Sequence, residues 1–295
     1  MPGALPFRRE RKMKKLVLVA TLASVLTCFS QGELLSTQFK RQRIISLAPS
    51  TTEILFGLSL DDEIVGITIF CNYPPEALKK EKIGTFSQPN IEKILSLKPD
   101  VIFATGLEQA PAVERLRQLK LEVYVSDPSN IEELFNSIKE IGKLTYREIE
   151  AERLIALMKT EIEKIRAQVK LTPPNKRPKV FIEIWHDPLM TAGRGSFINE
   201  LITLAGGINI AQDISTAYSY FNLEQLIDRN PDLILLAYRD NKEAQDIVKN
   251  RFGWEGIKAV KNDRVYNDIN PDLFLRPGPR LVEGLKEIHK RLHPE

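Results

Sequence analysis

The chain has 295 residues, 43% of them apolar and 27% charged, with two cysteines and a net charge of +3. This length and balance allow one large domain or two ordinary ones, and exclude a disordered or collagenous chain. Two cysteines exclude a disulfide scaffold and a four-cysteine zinc site.

Lys14 and Lys15 precede the uncharged run Leu16 to Leu26, followed by Thr27 and Cys28. A basic head and a short apolar segment form an export signal, too short for a comfortable membrane span. The expected signal covers 1–28, with Met13 as a natural start, and a polar tether covers 29–42. Cys28 resembles the lipidated cysteine of bacterial lipoproteins, although Thr27 stands where that motif prefers Gly, Ala or Ser; ordinary cleavage nearby is the other reading. Residues 1–27 hold six basic side chains against Glu10, so the exported remainder is slightly acidic. Nucleic acid therefore loses its support as a partner.

Arg43-Ile-Ile-Ser-Leu-Ala reads as a buried strand, and Pro49-Ser50-Thr51-Thr52-Glu53 opens a helix with Ser50 or Thr51 as cap, ending near Gly57. Asp62 to Thr68 is a strand, Asn90 to Leu97 a short helix, and Pro99-Asp100 leads into a strand ending near Ala104. Leu121 to Ser126 is a further strand. This alternation predicts a parallel α/β lobe over 43–128.

Between Asn130 and Val169 there is no proline, and Gly142 is the one glycine. Ile131, Leu134, Ile138, Ile141 and Leu144, then Ile155, Met158, Ile162 and Ile165, recur at helical spacing. A spine helix, or a helix pair, is predicted over 129–172, before Pro173-Pro174 ends it. Strand–helix alternation resumes at Lys179-Val-Phe-Ile-Glu-Ile-Trp185, predicting a second α/β lobe over 178–295.

The two halves repeat. Asn90-Ile-Glu92 through Pro99-Asp100-Val-Ile aligns without gaps on Asn222-Leu-Glu224 through Pro231-Asp232-Leu-Ile, 132 positions later. Each copy is a capped helix, a Pro-Asp turn and a buried strand. The expected fold is two Rossmann-like lobes with parallel sheets joined by a long spine helix.

This organisation, with Arg43-Ile-Ile-Ser-Leu-Ala-Pro-Ser, Asn72-Tyr-Pro-Pro-Glu-Ala77, Asp187-Pro-Leu-Met-Thr-Ala-Gly193, Ala205-Gly-Gly-Ile-Asn209 and Arg276-Pro-Gly-Pro-Arg280, resembles the helical-backbone solute-binding proteins of ABC importers. The closest likeness is to the vitamin B12 (cobalamin) binding proteins, with siderophore- and haem-binding relatives. The resemblance implies a ligand held between the lobes, at loops following the strand ends. It points to Phe70, Tyr73, Phe86, Trp185, Tyr218 and Arg276 as ligand-binding residues. A corrin is a broad, largely apolar ring edged with amides, which suits aromatic walls and a few donors. The alternative for Phe70, Phe86 and Trp185 is closure of the lobe cores.

The resemblance also makes Glu92 and Glu224 docking carboxylates for arginines of the permease, one per lobe. Each equally suits a helix N-terminus, two residues after an Asn cap. The implied partners are a permease dimer and its ATPase subunits, since this chain has no Walker motif. The implied state is an exported monomer, either periplasmic or lipid-anchored, with no cofactor, no protein metal site and no enzymatic activity.

His186 reads as a loop hydrogen-bonder rather than a metal ligand, and His289 and His293 as solvated. Cys71 sits in a cleft loop, where a packed cysteine is the default and a cobalt or iron ligand the alternative. Gly193-Arg194-Gly195-Ser196 lacks the rest of a phosphate loop and reads as a strand-to-helix turn capped by Ser196. Iron-siderophore or haem capture is the competing binding function. A glycosyltransferase or nitrogenase-like reductase would need a nucleotide loop, cleft carboxylates or cluster cysteines, none of which is visible.

Overall fold

Ile44-Ile45-Ser46 is apolar almost throughout because it is an inner strand of a parallel sheet, covered on both faces. The computed structural model describes residues 41–237 and 244–294. The signal with Cys28, and the tether up to residue 40, lie outside the described residues. The chain divides into two units, Met1–Arg41 and Gln42–Glu295, and the second holds every described strand and helix.

The first lobe carries β1 (Ile44–Ser46), α1 (Pro49–Gly57), β2 (Ile64–Ile67), α2 (Ile91–Ser96), β3 (Val101–Ala104), α3 (Ala110–Gln118) and β4 (Val123–Val125). Its sheet is parallel, in the order β2-β1-β3-β4. The expected Ser50 or Thr51 cap of α1 is not formed. The helix starts at Pro49, a favoured first position, and the Thr51 and Thr52 hydroxyls instead donate back to the Ala48 carbonyl at 3.0 Å.

The 129–172 segment is a pair of helices, α4 (Ile131–Leu144) and α5 (Glu148–Val169), rather than one spine helix. The Thr145 hydroxyl donates to the Ile141 carbonyl at 2.7 Å, and Tyr146 takes φ 56, which ends the first helix. Ile155, Met158, Ile162 and Ile165 of α5 join a core that also contains Ile44 and Phe103 of the first sheet and Ile182 and Leu235 of the second half. One continuous apolar cluster therefore runs through both lobes, with α5 in it.

The second lobe carries β5 (Lys179–Glu183), β6 (Trp185–His186), β7 (Leu189–Ala192), α6 (Phe197–Leu204), β8 (Ile208–Asn209), β9 (Tyr218–Tyr220), α7 (Leu223–Arg229), β10 (Leu233–Leu236), α8 (Ala244–Lys249), α9 (Lys258–Lys261), β11 (Val265–Tyr266), α10 (Asp272–Leu275) and α11 (Leu281–Leu292). Its parallel sheet has the order β11-β10-β5-β8. A small antiparallel sheet, β6-β7-β9, was not anticipated; it is built from the residues just beyond β5 and from Tyr218–Tyr220.

The internal repeat extends to individual bonds. The Asp100 carboxylate accepts the Arg43 N–H at 2.8 Å, and the Asp232 carboxylate accepts the Lys179 N–H at 2.9 Å, each tying a Pro-Asp turn to the start of the neighbouring strand. Lys98 and Asn230, at equivalent positions, both take left-handed backbone, φ 47 and 46.

Candidate functional site

Parallel strands leave a crevice beyond their carboxyl ends. Here the residues following β1, β3 and β4 face those near α6, β9 and α10 across a cavity of about 690 Å³. Phe70, Phe86 and Asp127 line it from the first lobe; Ser196, Tyr218 and Arg276 line it from the second. Phe70 and Tyr218 are substantially exposed, 46% and 47%, as walls of an open cleft rather than core residues. Phe86 is half-buried. Its carbonyl accepts the Gln109 side-chain amide at 2.9 Å, and the same amide donates to Leu47 at 2.8 Å. Gln109, fully buried, thus fixes the Phe86 loop to the end of β1. Nothing in the local sequence singled it out.

Arg276 lines the cleft but is itself buried and committed. It pairs with Asp272 at 2.9 Å and Glu53 at 3.4 Å, and donates to the Asn72 side chain at 2.7 Å. Arg280 donates to the same Glu53 carboxylate at 2.6 and 3.0 Å. Glu53, on α1, therefore ties two arginines of the second lobe to the first. The sequence signal was present, a lone acid in an otherwise uncharged helix, but its partners lie more than 220 positions away.

Tyr73 and Trp185 are not among the residues lining this cleft. The Arg280 guanidinium lies over the Tyr73 ring, 3.7 Å from its centroid, and both line a separate cavity of about 320 Å³ beside Glu53. Trp185 stands opposite Met190, which stands opposite Tyr220, so the three occupy one row of the antiparallel sheet. Tyr218 precedes Tyr220 by two residues and shares its face, leaving Trp185 one pleat repeat away from the cleft wall. The Trp185 indole N–H donates to the Asp187 carbonyl at 2.8 Å.

Cys71 is a packed cysteine, buried and 3.2 Å from the Thr68 hydroxyl, and burial pushes its thiol up. His186 is exposed and stacks obliquely on Trp185 at 5.2 Å. His289 and His293 are not solvated: both are half-buried and both meet the Ala205 carbonyl, at 2.9 and 3.2 Å. Ser196 caps α6, accepting the Asn199 N–H. A side chain at Gly193 would come within 2.4 Å of the Thr216 carbonyl, so that glycine admits a crossing chain. Among the described residues no cluster of three or more His, Cys, Asp or Glu is placed to hold a metal.

Glu92 and Glu224 are exposed in the first turns of α2 and α7, where Asn90 and Asn222 accept the Lys93 and Glu224 N–H groups. Leu95, Leu223 and Ile227 are exposed beside them. Leu95 and Ile227 are repeat equivalents, so each carboxylate sits next to the same kind of apolar neighbour.

Residues 44–270 match the family model described as periplasmic binding protein. The chain belongs to the periplasmic binding protein family. It is 36% identical to the ABC transporter substrate-binding lipoprotein YvrC of Bacillus subtilis (strain 168), over 86% of this chain and 81% of that protein. The crystal structure of the periplasmic vitamin B12 binding protein BtuF of Vibrio cholerae matches with a TM-score of 0.71 at 28% identity, over 85% of this chain and 96% of the other. A protein of Staphylococcus epidermidis ATCC 12228, described as a possible iron-binding (periplasmic solute-binding) protein, matches with a TM-score of 0.75 at 31% identity, over 86% of this chain and all of the other. This periplasmic binding protein thus shares its two-lobed α/β fold with solved solute-binding proteins. Among its described residues no helix is long and apolar enough to cross a membrane.

Proposed function

We propose that this periplasmic binding protein captures a cobalamin-type corrinoid between its lobes and delivers it to an ABC importer outside the cytoplasmic membrane. The observation that carries this reading is the chemistry of the cleft. Its volume of about 690 Å³ falls within the usual range of small-molecule sites. Four aromatic residues line it, Phe70 and Phe86 from the first lobe and Phe197 and Tyr218 from the second. Arg276 is the single basic side chain lining it among the described residues, and Glu53 and Asp272 already compensate that charge. An apolar, amide-edged ring suits such walls. Carboxylate-rich haem or an anionic siderophore would call for uncommitted cations.

Likeness to a vitamin B12 binding protein and to a substrate-binding lipoprotein of ABC transporters supports the same reading. Glu92 and Glu224, one per lobe and related by the repeat, would meet basic groups on a two-fold permease. The apolar cluster shared by both lobes and the Glu53 pairs favour small lobe movements on capture. Isothermal titration of the purified protein with cyanocobalamin, haemin and a ferric siderophore tests the function. Tight binding of cyanocobalamin alone is expected. No response to cyanocobalamin, with tight binding of either other ligand, overturns it.

A further inference from the structure

With Arg276 neutralised by its own partners, the electrostatic character of the cleft falls to one side chain, Asp127. It lies two residues beyond β4, next to Ser126, whose N–H donates to the Ala104 carbonyl at 2.9 Å and holds the preceding residue to the sheet. The Thr105 hydroxyl donates to its carboxylate at 3.3 Å. Gly106 is part of the same arrangement: a side chain there would approach the carboxylate to 2.7 Å, so glycine lets Asp127 lie against the turn after β3. The carboxylate remains exposed. Across the cleft stands Tyr218, which lines the same cavity; its ring is open to the cleft, while partial desolvation of the phenol and then the Asp127 charge push that phenol's pKa up. A tyrosine phenol is neutral at physiological pH in any case, so Tyr218 adds no second anion.

We propose that Asp127 determines which ligand charge the cleft accepts. Its carboxylate takes hydrogen bonds from primary-amide N–H groups on the rim of the ligand and repels a rim of carboxylates. This rests on the corrin reading of the cleft and sharpens it, because a corrin and its hydrolysed form share one ring and differ in that rim. A carboxylate accepts and does not donate, so an amide N–H is the complementary group. A carboxylate rim would be a like-charge contact in a partly desolvated site. The proposal concerns selectivity, and Asp127 is a specificity-determining residue rather than the source of most of the affinity.

The test compares cyanocobalamin with its propionamide-hydrolysed acid, the same molecule with rim amides replaced by carboxylates, on the wild-type protein and on Asp127→Asn. Asparagine keeps the shape and an acceptor oxygen but removes the charge. Wild-type protein is expected to prefer cyanocobalamin, and the variant to narrow that preference by about tenfold, the difference between a charged and a neutral hydrogen-bond partner. A preference unchanged by the substitution overturns the proposal while leaving the corrin reading intact. Wild-type protein that does not bind cyanocobalamin overturns both. A measurement independent of the variant is salt: rising ionic strength should strengthen binding of the rim-hydrolysed acid to the wild type by screening repulsion. Indifference to salt would count against Asp127 equally.

Discussion

Glu53 and Arg280, 227 positions apart, meet in a buried pair in which both carboxylate oxygens accept from one guanidinium, at 2.6 and 3.0 Å. Arg276 approaches the same carboxylate at 3.4 Å. The first lobe thus supplies an anion between two cations of the second. Removing one member of a buried ionic group leaves the others uncompensated and costs about 3–5 kcal/mol. Glu53→Gln should lose stability of that order in urea denaturation. It should also loosen the lobes, so that small-angle scattering shows a ligand-dependent compaction absent from the wild type. A variant as stable as the wild type would show that the pair contributes nothing net.

The helix pair imposes a different constraint. A methyl group on Gly142 would lie 2.6 Å from the Ala151 Cβ and 3.0 Å from the Arg147 carbonyl. Alanine ordinarily favours a helix over glycine by about 1 kcal/mol, so an exposed helical glycine would be improved by the change. Here overpacking opposes that gain and costs about 1–3 kcal/mol. Gly142→Ala should therefore lower the melting temperature, and a raised one would contradict the close approach of the two helices.

What could be read from the chain was what local chemistry determines. Asn90 and Asn222 announce helix starts, and Pro-Asp after each helix announces the turn. The repeat then holds down to the bonds of Asp100 and Asp232 and the left-handed Lys98 and Asn230. The spine was harder, since a three-residue break at Thr145 to Arg147 carries no proline or glycine and apolar spacing runs on either side of it. The site divides in the same way. Phe70, Phe86, Tyr218 and Arg276 line one cleft, Phe70 just beyond β2, Tyr218 at the start of β9 and Arg276 just beyond α10. Trp185 sits opposite nearby Met190 in a local hairpin that the predicted strand runs through, whereas Tyr73 lies under Arg280, a partner remote in sequence. Gln109 and Glu53 were missed for the same reason: a buried polar residue looks ordinary until its distant partner is known.

Acid should weaken the base of the second lobe. His293 shares the Ala205 carbonyl with His289, and its imidazole is held below the ordinary value of 6.5. Burial is the main cause; the charges of His289, Arg264 and Arg177 act in the same direction, and the bond to Ala205 opposes them. A histidine with a depressed folded pKa takes up its proton more readily when unfolded. Its stabilising contribution is thus complete above about pH 6.5 and declines as the pH falls toward the folded pKa. Thermal melts at about pH 7.5 and 5 should show the wild type losing more stability than His293→Gln. Equal losses would assign the acid sensitivity elsewhere.

On the proposed docking role, substitutions at Glu92 and Glu224 should separate docking from ligand capture. Both are exposed, and neither lines the cleft. As helix N-terminal carboxylates, each contributes only about 0.3–1 kcal/mol through the helix dipole. Reversing their charge should therefore leave the fold intact and cyanocobalamin affinity unchanged. Against a basic permease surface, the same reversal replaces attraction by repulsion at two symmetric points. The Glu92→Lys, Glu224→Lys double variant should then bind ligand normally in calorimetry yet fail to support uptake by cells or by reconstituted transporter. Each single variant should retain part of the activity, because one lobe remains complementary. Normal uptake by the double variant would reduce the two carboxylates to helix caps, and loss of ligand binding would mean that the substitutions disturb the lobes themselves.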